Sequence, residues 1–208
     1  MRHFASLVFC AWVALAASAF AQDAGKERSL LLIAAEGMGD PRFAESVVLV
    51  TRHGRSQATI GVIVNRPLDV RLSQVFPEFA RASEHRLHYG GPVAQGQIVY
   101  LVRGEREPAD ALRLAPQLFI SSDGASLRRM LENPPPTDSL RVFDGYSGWA
   151  PGQLEREIDI GGWHLLPVDV DIIFREPADR LWETLLRRAT AIRVRAPLPD
   201  NALILPVL

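Results

Sequence analysis

The segment Gly145-Tyr146-Ser147-Gly148-Trp149 places a serine between an apolar run and a following helix pattern, the setting of a serine nucleophile. A nucleophile elbow, however, calls for glycine two residues after the serine, where the chain turns sharply, and Trp149 occupies that position. No motif pairs Ser147 with one histidine, although His53 and His164 are available, so a weak hydrolase stands as an alternative and a turn that fixes Trp149 at a helix entrance as the plainer reading. His85 and His88, with Glu84 beside them, have a spacing that could share a metal on a helix, but two such ligands do not close a site. Leu87 and Tyr89 suggest instead that a strand begins there, with the histidines in a surface loop. Asp169 and Asp171 read as a helix cap and a solvated acid. The sequence contains no H-E-x-x-H pattern, no phosphate loop and no dinucleotide fingerprint, and no cofactor or metal is expected.

A set of polar residues falls at the ends of apolar runs: His53, Asn65, Arg66, Ser121, Ser122, Asp123, Tyr146 and Gln153. Groups of this kind can converge on a pocket, where arginine and helix N-terminal amides favour an anion. Asn65, Arg66, Ser122, Asp123, Tyr146, Trp149 and Gln153 are the candidate binding residues. The competing reading is local, with Asn65, Ser122 and Asp123 capping turns and helices.

The elements that must position these residues follow from patterning. Strands are expected over Ser29–Ala35, Ser46–Thr51 and Thr59–Val64, the last ending at Asn65-Arg66-Pro67 because proline removes a donor and restrains its predecessor. A short helix over Leu72–Phe76 precedes strands near Leu87–Tyr89, Gln97–Val102 and Gln117–Ile120. Asp123 should cap a helix over Gly124–Leu131, stopped by Pro134-Pro135-Pro136. Leu140–Tyr146 reads as a strand, Pro151 as the first turn of a helix ending near Gly161-Gly162, and Trp163–Val168 as another strand. Asp169 then caps a turn through Phe174 before a last helix over Ala178–Arg188. Strands and helices alternate irregularly, which favours α+β over a doubly wound fold.

The chain of 208 residues carries a net charge of −1 and 48% hydrophobic residues, which excludes disorder and argues against direct nucleic-acid binding. Met1-Arg2-His3, the uncharged run Phe4–Ala21 and the Ala19-Phe20-Ala21 ending have the parts of a secretory signal peptide. The expected organisation is a signal peptide over 1–21, with an uncleaved membrane anchor as the alternative, a linker over 22–29, a domain over 30–195 and an apolar tail over 196–208. Cleavage would remove Cys10, the only cysteine, and with it any disulfide or cysteine nucleophile.

Leu31-Leu32-Ile33-Ala34 followed by Gly39-Asp40-Pro41-Arg42-Phe43-Ala44-Glu45-Ser46 resembles the opening of the YqgE/AlgH family. Gly61-Val62-Ile63-Val64-Asn65-Arg66-Pro67-Leu68, Gly90-Gly91-Pro92-Val93, Ser121-Ser122-Asp123, Gly145–Trp149, Gly152–Ile158, Trp163, Pro167 and Ile173-Phe174 continue in the family's order. The resemblance covers roughly Leu30 to Arg188. It implies a single compact α+β domain with a coiled mixed sheet and flanking helices, and a regulatory label with no catalytic residues to carry over. Glu36-Gly37 stands where threonine or methionine followed by proline is usual, and the leader and the tail are additions. The family is mostly cytoplasmic, so export would separate this chain from any promoter. The expectation is an exported, periplasmic or secreted, non-enzymatic binding or regulatory module that meets a protein partner or a small anionic ligand. A cytoplasmic transcriptional regulator is the alternative should the leader reading fail, and membrane contact is expected only through an uncleaved leader.

Overall fold

Alternation of buried side chains governs the first strand: Leu31 and Ile33 face one side of the sheet while Leu32 and Ala34 face the other, all fully buried. Both faces of this sheet are covered, which is why the strands read as unbroken apolar runs. The structure is a computed structural model that describes residues 29–53 and 58–195. The leader, nearly all of the linker and the tail lie outside the described residues.

Among the described residues, ten strands and five α-helices follow one another as β1 (Leu30–Ala34), β2 (Val47–His53), β3 (Ala58–Ile63), β4 (Pro67–Arg71), α1 (Leu72–Val75), a 3₁₀ turn (Ala80–Glu84), β5 (Arg86–Tyr89), β6 (Val93–Arg103), β7 (Leu112–Ala115), β8 (Leu118–Ser121), α2 (Gly124–Glu132), β9 (Leu140–Trp149), α3 (Gln153–Asp159), β10 (Trp163–Pro167), α4 (Val170–Arg175) and α5 (Ala178–Arg195). The sheet runs β10-β1-β2-β3-β9-β6-β8-β7, each neighbouring pair antiparallel. β5 joins β9 in parallel and pairs with β4 on its other side, so the curled sheet is mixed and the fold is α+β.

Strand β9 is the junction. Leu140–Tyr146 pairs with β6, while Ser147–Trp149 pairs with β3. The sequence expectation of a turn at Ser147-Gly148-Trp149 is therefore corrected: the strand continues to Trp149. Gly145 absorbs the bend at φ +68°, where a Cβ would lie 2.7 Å from the Val93 carbonyl. Gly90 wedges between β3 and β9, accepting from the Ile63 N–H and donating to the Asp144 carbonyl, each at 2.9 Å.

Three apolar clusters fill the fold. α4 and α5 cover one face through Ile173, Phe174, Leu181 and Leu185, packed on Leu31, Leu49, Val62 and Phe143. Leu154 of α3 covers the opposite face with Val48, Ile63, Trp149 and Trp163. Leu72, Leu127 and Leu131 close the third against Tyr100 and Val142. The expected caps form, with Asp123 accepting from the Ser126 N–H at 2.7 Å and Asp169 from the Ile172 N–H at 3.2 Å. The edge strands β4 and β7 have no counterpart in the sequence reading. The histidines are not in a surface loop either: His85 is buried, and His88 lies in β5 opposite Phe143.

Candidate functional site

Asn65 and Arg66 follow β3 and clamp the segment that precedes β2. Asn65 Oδ1 accepts the Val47 N–H at 2.8 Å, and its Nδ2 donates to the Glu45 carbonyl at 2.9 Å. Arg66 donates to the Arg42 carbonyl through Nη1 and to the Ala44 carbonyl at 2.7 Å through Nη2. Turn hydrogen bonds within the segment satisfy the Phe43 and Ser46 N–H groups, and the Asn65 and Arg66 side chains take the Arg42, Ala44 and Glu45 carbonyls and the Val47 N–H. Pro41 starts the turn, and Arg42 pairs with Asp40 at 2.6 Å, which holds the Asp40 carboxyl below the usual carboxylate range.

The clamped segment carries Phe43 onto two indoles. Its ring stacks on Trp149 at a centroid separation of 5.8 Å and meets Trp163 edge-on at 5.6 Å, while the two indoles stand nearly perpendicular at 6.1 Å. Trp149 ends β9 and Trp163 opens β10, so the intervening α3 must return across both. Its residues Gln153 and Glu157, one turn apart, share the face that points back at the rings. Glu157 Oε2 accepts both indole N–H groups at 2.9 Å, and its Oε1 accepts the Gln153 amide at 3.0 Å. One carboxylate satisfies two buried indole donors that would otherwise be orphaned.

A cleft of about 540 Å³ opens beside this cluster, between residues 35–43, Pro92-Val93, Gly148 and α3 with its following turn. Glu36, Asp40, Arg42 and Glu157 are its charged lining residues, and Met38, Phe43, Val93, Ile160 and the two tryptophans supply apolar surface. Ile160 stands at the rim 85% exposed, the most solvent-open large apolar side chain among the described residues. It is held there by a tight helix end in which Gly161 donates to the Ile158 carbonyl at 2.9 Å and Gly162 to the Glu157 carbonyl at 2.8 Å.

The structure brings Trp149 and Gln153 together in the cleft and sets Asn65 and Arg66 behind it as supports for the Phe43 segment. Ser122 and Asp123 lie elsewhere, at the start of α2, where Asp123 serves as the N-cap. Tyr146 packs against the apolar cluster under α4 and α5. Ser147 is fully buried in mid-strand, its hydroxyl donating to the Gly90 carbonyl at 3.1 Å. Strands β1, β2 and β3 separate its strand from His164 on β10, and β3 separates it from His53 at the end of β2. That order puts neither histidine on a strand adjoining Ser147, and full burial leaves its hydroxyl no approach for a substrate carbonyl. Sequence reasoning missed Phe43, Glu157 and Trp163 as site residues. The signal was the four-residue spacing of Trp149, Gln153 and Glu157, which a strand end running into a helix places on one side.

Comparison with known proteins gives a consistent picture. DUF179, described as AlgH-like, matches residues 31–192. A UPF0301 protein of Ruegeria pomeroyi is 38% identical over 167 residues, covering 76% of this chain and 88% of its own length. A UPF0301 protein of Thermobifida fusca is 36% identical over 173 residues, covering 76% and 84%. The solution structure of the AlgH protein from Pseudomonas aeruginosa superposes with a TM-score of 0.64 at 26% identity, covering 84% of this chain and 95% of that one. A crystal structure of protein DIP2367 from Corynebacterium diphtheriae gives 0.63 at 29% identity, covering 78% and 87%.

Proposed function

The chain belongs to the AlgH-like family DUF179, and from that premise we propose that it is an exported, non-enzymatic binding module whose cleft beside α3 receives a protein partner. The observation that carries this reading is the pairing of a fixed polar floor with an open apolar rim: Glu157 held by Trp149, Trp163 and Gln153, and Ile160 left 85% exposed above it. A rigid aromatic base with one solvent-open apolar anchor is the anatomy of a recognition surface. The lining contains no serine, threonine, cysteine, lysine or histidine, so the cleft offers no hydroxyl, thiol or amine nucleophile.

Charge divides the two ligand classes expected from the sequence. Three carboxylates line the cleft, and its one guanidinium, Arg42, is paired with Asp40. Arg66, the cation that suggested an anion site, spends its donors on backbone carbonyls. The surface therefore suits a segment that offers a lysine or arginine beside an apolar side chain, in preference to a small anion.

Two measurements test the reading. Tryptophan emission followed during titration with short basic-apolar peptides, acidic-apolar peptides and inorganic phosphate should change saturably for the first alone. Ile160→Asp and Glu157→Gln should each weaken that response at least tenfold, and an equal response of all three proteins would sink the assignment. For export, N-terminal sequencing of the native protein should begin at Gln22, from a periplasmic or secreted fraction. An intact Met1 in the cytoplasm would restore the cytoplasmic regulator.

A further inference from the structure

The charged side chains that line the cleft beside α3, Glu36, Asp40, Arg42 and Glu157, are not equally free. Glu157 is engaged on the cleft floor, where its oxygens accept both indole N–H groups and the Gln153 amide. Asp40 is engaged as well. It accepts the Arg42 backbone N–H at 2.9 Å and meets the Arg42 guanidinium through both oxygens, at 3.0 Å from Nε and 2.6 Å from Nη2. That pair neutralises one acid together with the cleft's one cation. Glu36 is the remainder. It is exposed, and its carboxylate accepts no hydrogen bond and enters no ion pair among the described residues.

Local geometry fixes where that carboxylate stands. The Met38 N–H donates to the Ala35 carbonyl at 3.1 Å, closing a β-turn with Glu36 as its second residue and Gly37 as its third. Gly37 has φ +76°, the left-handed value that a type II turn requires at that place and that glycine takes without strain. The turn is in its turn tied to the end of α3, because the Ala35 N–H donates to the Gly162 carbonyl at 3.0 Å. Ile160, 85% exposed, precedes that anchor by two residues. A free carboxylate and an open apolar side chain therefore stand on two turns of one rim, joined by a backbone hydrogen bond.

We infer that Glu36 is the specificity-determining residue of the cleft: it pairs with a lysine or arginine of the partner segment whose apolar neighbour packs on Ile160. The inference rests on the reading of the cleft as a peptide site and names the group within it that reads charge. A ligand cation at Asp40 would compete with Arg42 and meet its charge. At Glu157 it would find three of about four acceptor sites already filled. Only Glu36 gains a partner without giving one up. An exposed ion pair changes affinity by about two- to fivefold, so Glu36 sets the preference while the apolar contact supplies most of the binding.

Tryptophan emission of the full chain, titrated with three capped pentapeptides that carry leucine beside lysine, glutamine or glutamate, tests the assignment. Wild-type protein should prefer lysine to glutamine by about two- to fivefold, and raising sodium chloride from about 50 to 500 mM should remove most of that preference. Glu36→Gln should bring the ratio to about one while leaving affinity for the glutamine peptide unchanged, an outcome that a merely structural role would not produce. Glu36→Lys should reverse the order in favour of the glutamate peptide. Glu132→Gln, which removes the same charge from an exposed position on α2, should keep the wild-type ratio. A lysine preference that survives both Glu36 variants, or that Glu132→Gln lowers equally, would overturn the assignment while leaving the cleft a peptide site. No saturable response to any of the three peptides would overturn the reading of the cleft and the role of Glu36 with it.

Discussion

The side-chain amide of Asn65 donates to the carbonyl of Glu45 at 2.9 Å, joining the turn after β3 to a residue 20 positions earlier. Glu45 sits at φ +55°, a left-handed conformation that costs a non-glycine residue about 1–2 kcal/mol. Asn65 offsets it by taking the Glu45 carbonyl and the Val47 N–H at once. The strain lies beside Phe43, and the clamp that holds it is what aims that ring at the indoles.

Asn65→Ala should lower stability by about 1–3 kcal/mol, because it strands a backbone donor and acceptor together. Thermal unfolding should show a melting temperature several degrees lower. Glu45→Val should cost about 1–2 kcal/mol more than Glu45→Gly, since a β-branched residue is the worst fit to positive φ. Equal melting temperatures for those two would remove the strain argument.

Glu157→Leu should cost roughly 2–4 kcal/mol, measured by urea denaturation, because the indole N–H groups of Trp149 and Trp163 lose their shared acceptor. Glu157→Gln retains an acceptor oxygen and should cost less than about 1.5 kcal/mol. A milder effect from leucine than from glutamine would mean that the carboxylate is not the keystone of the aromatic cluster.

Burial, with a smaller contribution from the nearby Arg141 guanidinium, pushes His88 down to about 4. The folded state therefore holds His88 neutral where the unfolded chain, with an ordinary value near 6.5, takes up a proton. Its contribution to stability is complete above about pH 6.5 and is lost progressively as pH falls toward 4, by up to about 3 kcal/mol. His85 is shifted in the same direction, chiefly by burial, so the comparison needs His88→Gln. That variant should flatten the pH 4–6.5 decline by more than half, and an unchanged slope would assign the decline to other groups.

Ser147→Ala should fold with a loss of no more than about 1.5 kcal/mol, since the Gly90 carbonyl still accepts the Ile63 N–H. Wild-type protein should remain unlabelled by serine-reactive phosphonates. Gly90→Ala, by contrast, would set a Cβ 2.2 Å from the Gly145 carbonyl oxygen. It should cost at least about 3 kcal/mol or abolish soluble expression, because a rigid backbone atom cannot yield as a flexible side chain can.

The sequence by itself determined what local chemistry controls. Unbroken apolar runs gave β1, β2 and β3, the last stopping before the Asn65-Arg66 turn as expected although Pro67 itself opens β4, and Asp123 and Asp169 marked the starts of α2 and α4. The ordered motifs gave the family. The tertiary structure decided matters that depend on neighbours distant along the chain. Ser147-Gly148-Trp149 reads as a turn, yet β3 and β6 supply pairing on either side and draw β9 on to Trp149, with Gly145 taking the bend. Asn65 and Arg66 carry the chemistry of an anion site, but their donors go to carbonyls 20 to 24 residues away, which no spacing rule reveals. Phe43, Trp149, Glu157 and Trp163 come from a loop, two strands and a helix. They meet only because the curled sheet sets β1, β3, β9 and β10 so that those chain ends converge, and burial then obliges each indole N–H to find an acceptor, which both find in Glu157.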